Sequence, residues 1–260
     1  MNYQAKHTQM KNAIDKAFSI LEQIVVSAPE ACLPLTLAQK LNLNRATCSR
    51  LIKQLCDMDY LLKVSRNQGY VPGPKLLALN SIAGFERQLL AAAQPVIDRC
   101  AEALGCSVLL ARLYNRRRYV LYHRNCSADM DIHLSRPYYN DLFCTATGLL
   151  LTAHLPEEER LACWQEQMNL GTEFLPEYQA KSKLSRNLDA IKERGYFDCN
   201  RDSQWIYAYP VFKGESFHAA LGASILSKSH NAAYHRRIGR TLKQAAEEIS
   251  ANFAHQYIIE

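Results

Sequence analysis

Arg45, Thr47, Ser49, Arg50 and Lys53 crowd into nine positions of the chain. Arginine pairs bidentately with guanine, and serine or threonine reaches base edges or phosphate oxygens. Lysine neutralises phosphates, which sets affinity and salt dependence rather than sequence preference. Interleaved with them, Cys48, Leu51, Ile52 and Leu55 recur at i, i+3, i+4 and i+7. A helix over 45–57 would bury those four and turn several of the polar residues outward. Asn44 is a good N-cap for it. Arg66 falls on a hairpin tip, placed like Lys53 to meet phosphate. Thr36 and Ala46, at the starts of two helices, complete the expected DNA contacts.

Other residue types point to less chemistry. The nine cysteines form no CxxC, and neither they nor the eight histidines show zinc-ligand spacing. No metal site and no cofactor is expected. Cys144 lies near a helix start, where thiols are acidified. No histidine and acid accompany it at recognisable spacing, so a small buried side chain is the simpler reading. His230 and His235 flank the last helix at an offset that separates them around its axis. Glu157, Glu158 and Glu159 suit the first turn of a helix. Arg116, Arg117 and Arg118 read as a solvated hairpin tip. Trp205, Tyr207 and Tyr209 share one strand face by alternation, as core packing before a pocket wall.

The elements that must position these residues follow in order. A helix over 13–26 carries Ile14, Phe18, Leu21 and Val25 on one face, with Ala17 and Ile24 alongside. Thr36 caps a short helix over 37–41. After the helix over 45–57 comes a two-stranded ribbon, 61–64 and 69–72. That order is a winged helix-turn-helix. An apolar-periodic linker helix over 75–94 follows, and Pro95 restarts a helix that Gly105 ends. Strands over 107–114, 118–123, 207–212 and 219–226 alternate with helices over 143–153, from 156, over 176–194 and over 231–253. The pattern is α+β, an antiparallel sheet flanked by helices.

Composition sets limits. With 260 residues, 48% apolar and 22% charged, the chain is neither disordered nor collagen-like, and holds one or two domains. No apolar run approaches the ~20 residues of a membrane span, and the polar start has no signal-peptide core. A cytoplasmic protein with no membrane partner is expected. The net charge of +6 is uneven: residues 1–80 carry ten basic and five acidic side chains, against 21 and 20 in the rest. The excess suggests a polyanion for the first third.

The chain resembles the IclR family of bacterial transcription regulators. The resemblance lies in residues 16–21, 35–47, 49–52, 60–61, 69–70 and 72–79, and more patchily in 145–151, 155–159, 194–196, 210–212 and 219–221. It implies a winged-helix DNA-binding domain over 1–74, a dimerising linker helix over 75–94, and a GAF-like effector-binding and oligomerisation domain over 95–260. It implies a dimer or tetramer that represses or activates by binding a pseudo-palindromic operator, and a small organic effector, a carboxylate or an aromatic. The pocket positions carried over are Ala146, Thr147 and Gly148 at a helix start, then Asp198 or Cys199. Ile206 stands where members often have cysteine, and Gly222 with Ser224 where they often have two serines. These departures predict a less polar pocket and an aromatic or larger ligand, or a purely structural domain. The alternative is a small-molecule-processing enzyme carrying a winged-helix interaction module.

Overall fold

A computed structural model describes residues 12–65, 67–84, 86–130, 134–201, 203–226 and 232–255. The chain divides into two compact units, Met1–Phe85 with Leu134–Pro137, and Glu86–His133 with Tyr138–Glu260.

The first unit opens with α1 (Ala13–Ser27), started by a reciprocal capping box between Asn12 and Asp15. Its buried face is Ala17, Ile20, Leu21 and Ile24. Ile14, Phe18 and Val25 are exposed, at 66%, 58% and 42%. Two apolar stripes run side by side on α1, and the one through Ala17 and Ile24 is the one that packs, a choice that periodicity alone does not make. α2 (Pro34–Lys40) begins with Pro34 in its first turn, so Thr36 lies inside the helix and is not its cap. α3 spans Arg45–Asp57, and the Asn44 side chain accepts from the Ala46 N–H at 2.9 Å. Its buried residues are Cys48, Leu51, Ile52 and Leu55, as the spacing required.

β1 (Leu61–Ser65) and β2 (Gly69–Pro72) pair antiparallel. Tyr70 also exchanges two backbone bonds with Cys32, at 2.8 and 2.9 Å. That approach needs Gly69: at φ +99°, any Cβ there would sit 2.3 Å from the Cys32 carbonyl oxygen.

The continuous linker helix over 75–94 is two helices. α4 (Pro74–Ala83) ends at Gly84, which is left-handed at φ +57°. Glu86 is also left-handed, and α5 (Arg87–Leu104) runs unbroken through Pro95. Burial of Leu89, Ala92 and Ala93 before the proline, and of Val96 and Ile97 after it, holds α5 together across the missing N–H.

The second unit is a five-stranded antiparallel sheet in the order β4-β3-β7-β6-β5. Its strands are β3 (Ser107–Tyr114), β4 (Arg117–Asn125), β5 (Phe197–Arg201), β6 (Gln204–Lys213) and β7 (Ser216–Leu226). One face packs on α5 and α9 (Ala232–His255). The other packs on α6 (Ala146–Ala153), α7 (Glu157–Leu170) and α8 (Lys181–Arg194). Residues 176–178 form a separate 3₁₀ turn, so the helix expected over 176–194 is shorter at its start. Buried Arg160 closes the C-terminal end of α6, donating to the carbonyls of Ala153 and Leu155. Among the described residues, no helix is long and apolar enough to cross a membrane.

Candidate functional site

Two surfaces stand out. The first is the outer face of α3. Arg45, Ala46, Ser49, Arg50 and Lys53 are exposed there, and Thr47 is half-buried. Arg50 donates to Gln54 of its own helix at 3.4 Å. Thr36 is exposed on α2. Arg66 lies outside the described residues.

The second is a cavity of about 400 Å³ between the sheet and the start of α6. The α6 N-terminus is held from behind. Thr145 is its N-cap: the hydroxyl accepts from the Gly148 N–H at 3.2 Å and donates to the Asp141 carbonyl at 2.9 Å. Gly148 itself is boxed in, since a Cβ there would lie 2.6 Å from the Leu142 carbonyl oxygen. It seats the helix and does not line the cavity. Ala146 and Thr147 do line it. As first-turn residues their N–H groups have no helical acceptor, which makes a seat for an anion.

Two guanidinium groups join this helix end. Arg118, 6% exposed, grips Asp141 through two bonds of 2.8 and 2.5 Å. Arg201 donates to the Cys144 carbonyl at 3.0 Å and pairs with Glu173. Burial, reinforced by Asp141, pushes the Cys144 thiol up to about 11 despite both arginines. Cys144 is therefore a neutral thiol at pH 7, not an activated nucleophile.

On the floor, Gly222 of β7 faces Thr147 so closely that a Cβ would meet the threonine methyl at 2.4 Å. Gly222→Ser should therefore lower the urea midpoint by the equivalent of about 1–3 kcal/mol through overpacking. Adding Thr147→Ala should recover most of that loss. A single variant as stable as the parent would count against this packing.

The cavity thus gathers Ala146, Thr147, Ile206, Gly222 and Ser224 of the expected pocket residues. Asp198 and Cys199 are not among them. Asp198 pairs with Arg194 at 2.6 Å and lines a groove by α9, while Cys199 lines a cleft beside the 3₁₀ turn. Arg118, Arg201, Gln204 and Ser107 also line the cavity, and none of the four was among the expected pocket residues. Arg118 is no solvated tip residue. Its burial depends on Asp141, 23 positions further on, which no local spacing signals.

A family model for the C-terminal domain of bacterial transcriptional regulators of the IclR type matches residues 85–251. The chain belongs to the IclR family. Its fold is similar to that of an IclR homologue from Microbacterium hydrocarbonoxydans complexed with 4-hydroxybenzoate. That protein is 16% identical over 93% of this chain and 99% of its own, with a TM-score of 0.71. The IclR transcriptional regulator from Alicyclobacillus acidocaldarius is 19% identical over 93% and 98%, with a TM-score of 0.69. Thermotoga maritima IclR is 22% identical over 94% and 99%, with a TM-score of 0.66. A comparison with curated proteins gives no match. IclR-family proteins are transcriptional regulators and not enzymes, which sets aside the enzyme alternative.

Proposed function

We propose that the chain is an effector-responsive regulator that binds a specific operator through the outer face of α3. A small carboxylate, aromatic in its body, would occupy the α6 cavity and change operator affinity. The observation that carries this reading is the α6 N-terminus opening onto a cavity shared with Arg118 and Arg201. At about 400 Å³ the space suits a molecule of one ring. The 4-hydroxybenzoate bound to the Microbacterium homologue supports the same ligand class. Exposed apolar side chains on α1 and α4, Phe18 and Leu77 among them, favour a symmetric homo-oligomer, dimer or tetramer, on a pseudo-palindrome.

The test is a salt-titrated gel shift on DNA flanking the protein's own gene against a random duplex, with and without 4-hydroxybenzoate. Preference for the flanking DNA and a probe-induced change of about 5–150-fold are expected. Two or four chains per duplex are expected, and one chain would sink the oligomer. Bound probe with unchanged DNA affinity would sink the switch. Arg45→Ala or Arg50→Ala should cost about 1–3 kcal/mol on the preferred sequence and relax base preference. Equal losses on both duplexes would rule out base reading by these arginines.

A further inference from the structure

We propose that the groove between α9 and strands β5 and β6 is a second ligand site, for a planar aromatic anion larger than one ring. It lies on the opposite face of the sheet from the α6 cavity. There α5 covers β3 and β4 while α9 covers β6 and β7. Next to α9, towards β5, a cavity of about 890 Å³ is left, roughly twice the α6 cavity.

Its walls are aromatic. Alternate residues of β6, Trp205, Tyr207 and Tyr209, line it together with Tyr196. Tyr196 lies parallel to Tyr209 with ring centres 5.3 Å apart, and the His235 ring is 4.3 Å from Trp205. Tyr207 is fixed by a 2.7 Å bond between its hydroxyl and His235 Nδ1. Such flat walls recognise flat ligands by offset stacking.

Tyr209 has no comparable anchor. Its side chain is only 7% exposed, yet among the described residues its hydroxyl has no hydrogen-bond partner. Burial pushes that hydroxyl up to about 12, so it remains a donor at neutral pH. It lies under Gly239, where a Cβ would stand 2.9 Å away. A glycine inside a 24-residue helix costs about 1 kcal/mol relative to alanine. Here it leaves room above the unused donor. Tyr209 lines the groove, so its hydroxyl is a donor available there to a ligand acceptor.

The rim supplies the charge. Arg194 is tied to Asp198, and Lys243 to Glu247. Arg236 and Arg240 are exposed on the same stretch of α9, with no acidic partner among the described residues. Two uncommitted guanidinium groups over an aromatic floor select an anion with a flat apolar body.

The probe is 2-naphthoate, titrated calorimetrically into the full-length protein. Binding is expected. The double variant Arg236→Ala/Arg240→Ala changes exposed residues only and should weaken binding roughly tenfold or more. Gly239→Leu should abolish it by filling the groove. Ser224→Phe, which obstructs the α6 cavity, should leave it unchanged. Absence of binding by the parent protein overturns the proposal. So does binding that survives the double variant, and so does binding lost in Ser224→Phe alone, which would place the probe in the α6 cavity. Circular dichroism checks folding, and the surface double variant decides the matter if Gly239→Leu does not fold.

Discussion

Arg118→Ala should lower stability by roughly 3–5 kcal/mol, read as a drop in urea midpoint with an unchanged slope. The side chains of Arg118 and Asp141 are only 7% and 20% exposed. Removing the cation leaves Asp141 with a desolvated charge and no counterion. The damage spreads because the Asp141 carbonyl holds the Thr145 hydroxyl, and Thr145 caps α6. Arg118 also exchanges backbone bonds of 3.0 and 2.8 Å with Tyr139, so the segment before α6 is pinned at two levels. The alanine variant keeps the backbone bonds and loses the fork. Arg118→Lys keeps the charge without the bidentate geometry and should fall between the two. A loss below about 1 kcal/mol for the alanine variant would show that the pair contributes no more than an exposed ion pair.

What could be read in advance was local. α3 was legible because its cap, its apolar stripe and its polar face all sit within fourteen consecutive residues. The α6 start came from the family resemblance, which puts Ala146, Thr147 and Gly148 at a helix start, whereas the apolar run suggested a helix from 143, three residues early. Three features were not legible. β5 is a short edge strand, Phe197–Arg201, whose polar composition has no alternation to give it away. The break at Gly84 sits inside an apolar-periodic stretch, and one glycine there is compatible with either a helix interior or a helix end. Arg118 and Arg201 line the cavity and pair with residues far along the chain, Asp141 and Glu173, which no local pattern signals. The family positions behaved likewise. Ile206, Gly222 and Ser224 met at the cavity because neighbouring strands place them there, Ile206 opposite Ser224 in the register. Asp198 did not, because one step along β5 turns a side chain to the other face.

The second large effect is expected at the start of the second unit. Glu86→Gln should destabilise the C-terminal unit by about 3 kcal/mol. The Glu86 carboxylate, 10% exposed, receives Arg112 and the Tyr114 hydroxyl on one oxygen. His218 donates from Nε2 to the other oxygen at 3.4 Å. This clamp fixes the left-handed residue from which α5 departs. An amide keeps the shape, but the desolvated Arg112 loses its counterion. His218 adds a dependence on pH. Burial, then Arg112 and Lys213, hold its pKa down to about 4, against about 6.5 in the unfolded chain. Facing it are Glu86, Arg112, Lys213 and the Phe253 ring, so at pH 7 the contact with Glu86 is made by a neutral imidazole. Between pH 6.5 and 4 the unfolded chain binds the proton and the folded one does not. Stability from this group is therefore complete above about pH 6.5 and is lost as pH falls towards 4. Urea midpoints across that window should decline in the parent and decline less steeply in His218→Gln. Equal slopes would mean that His218 is protonated in the folded state, and that the clamp holds an ion pair in place of a neutral hydrogen bond.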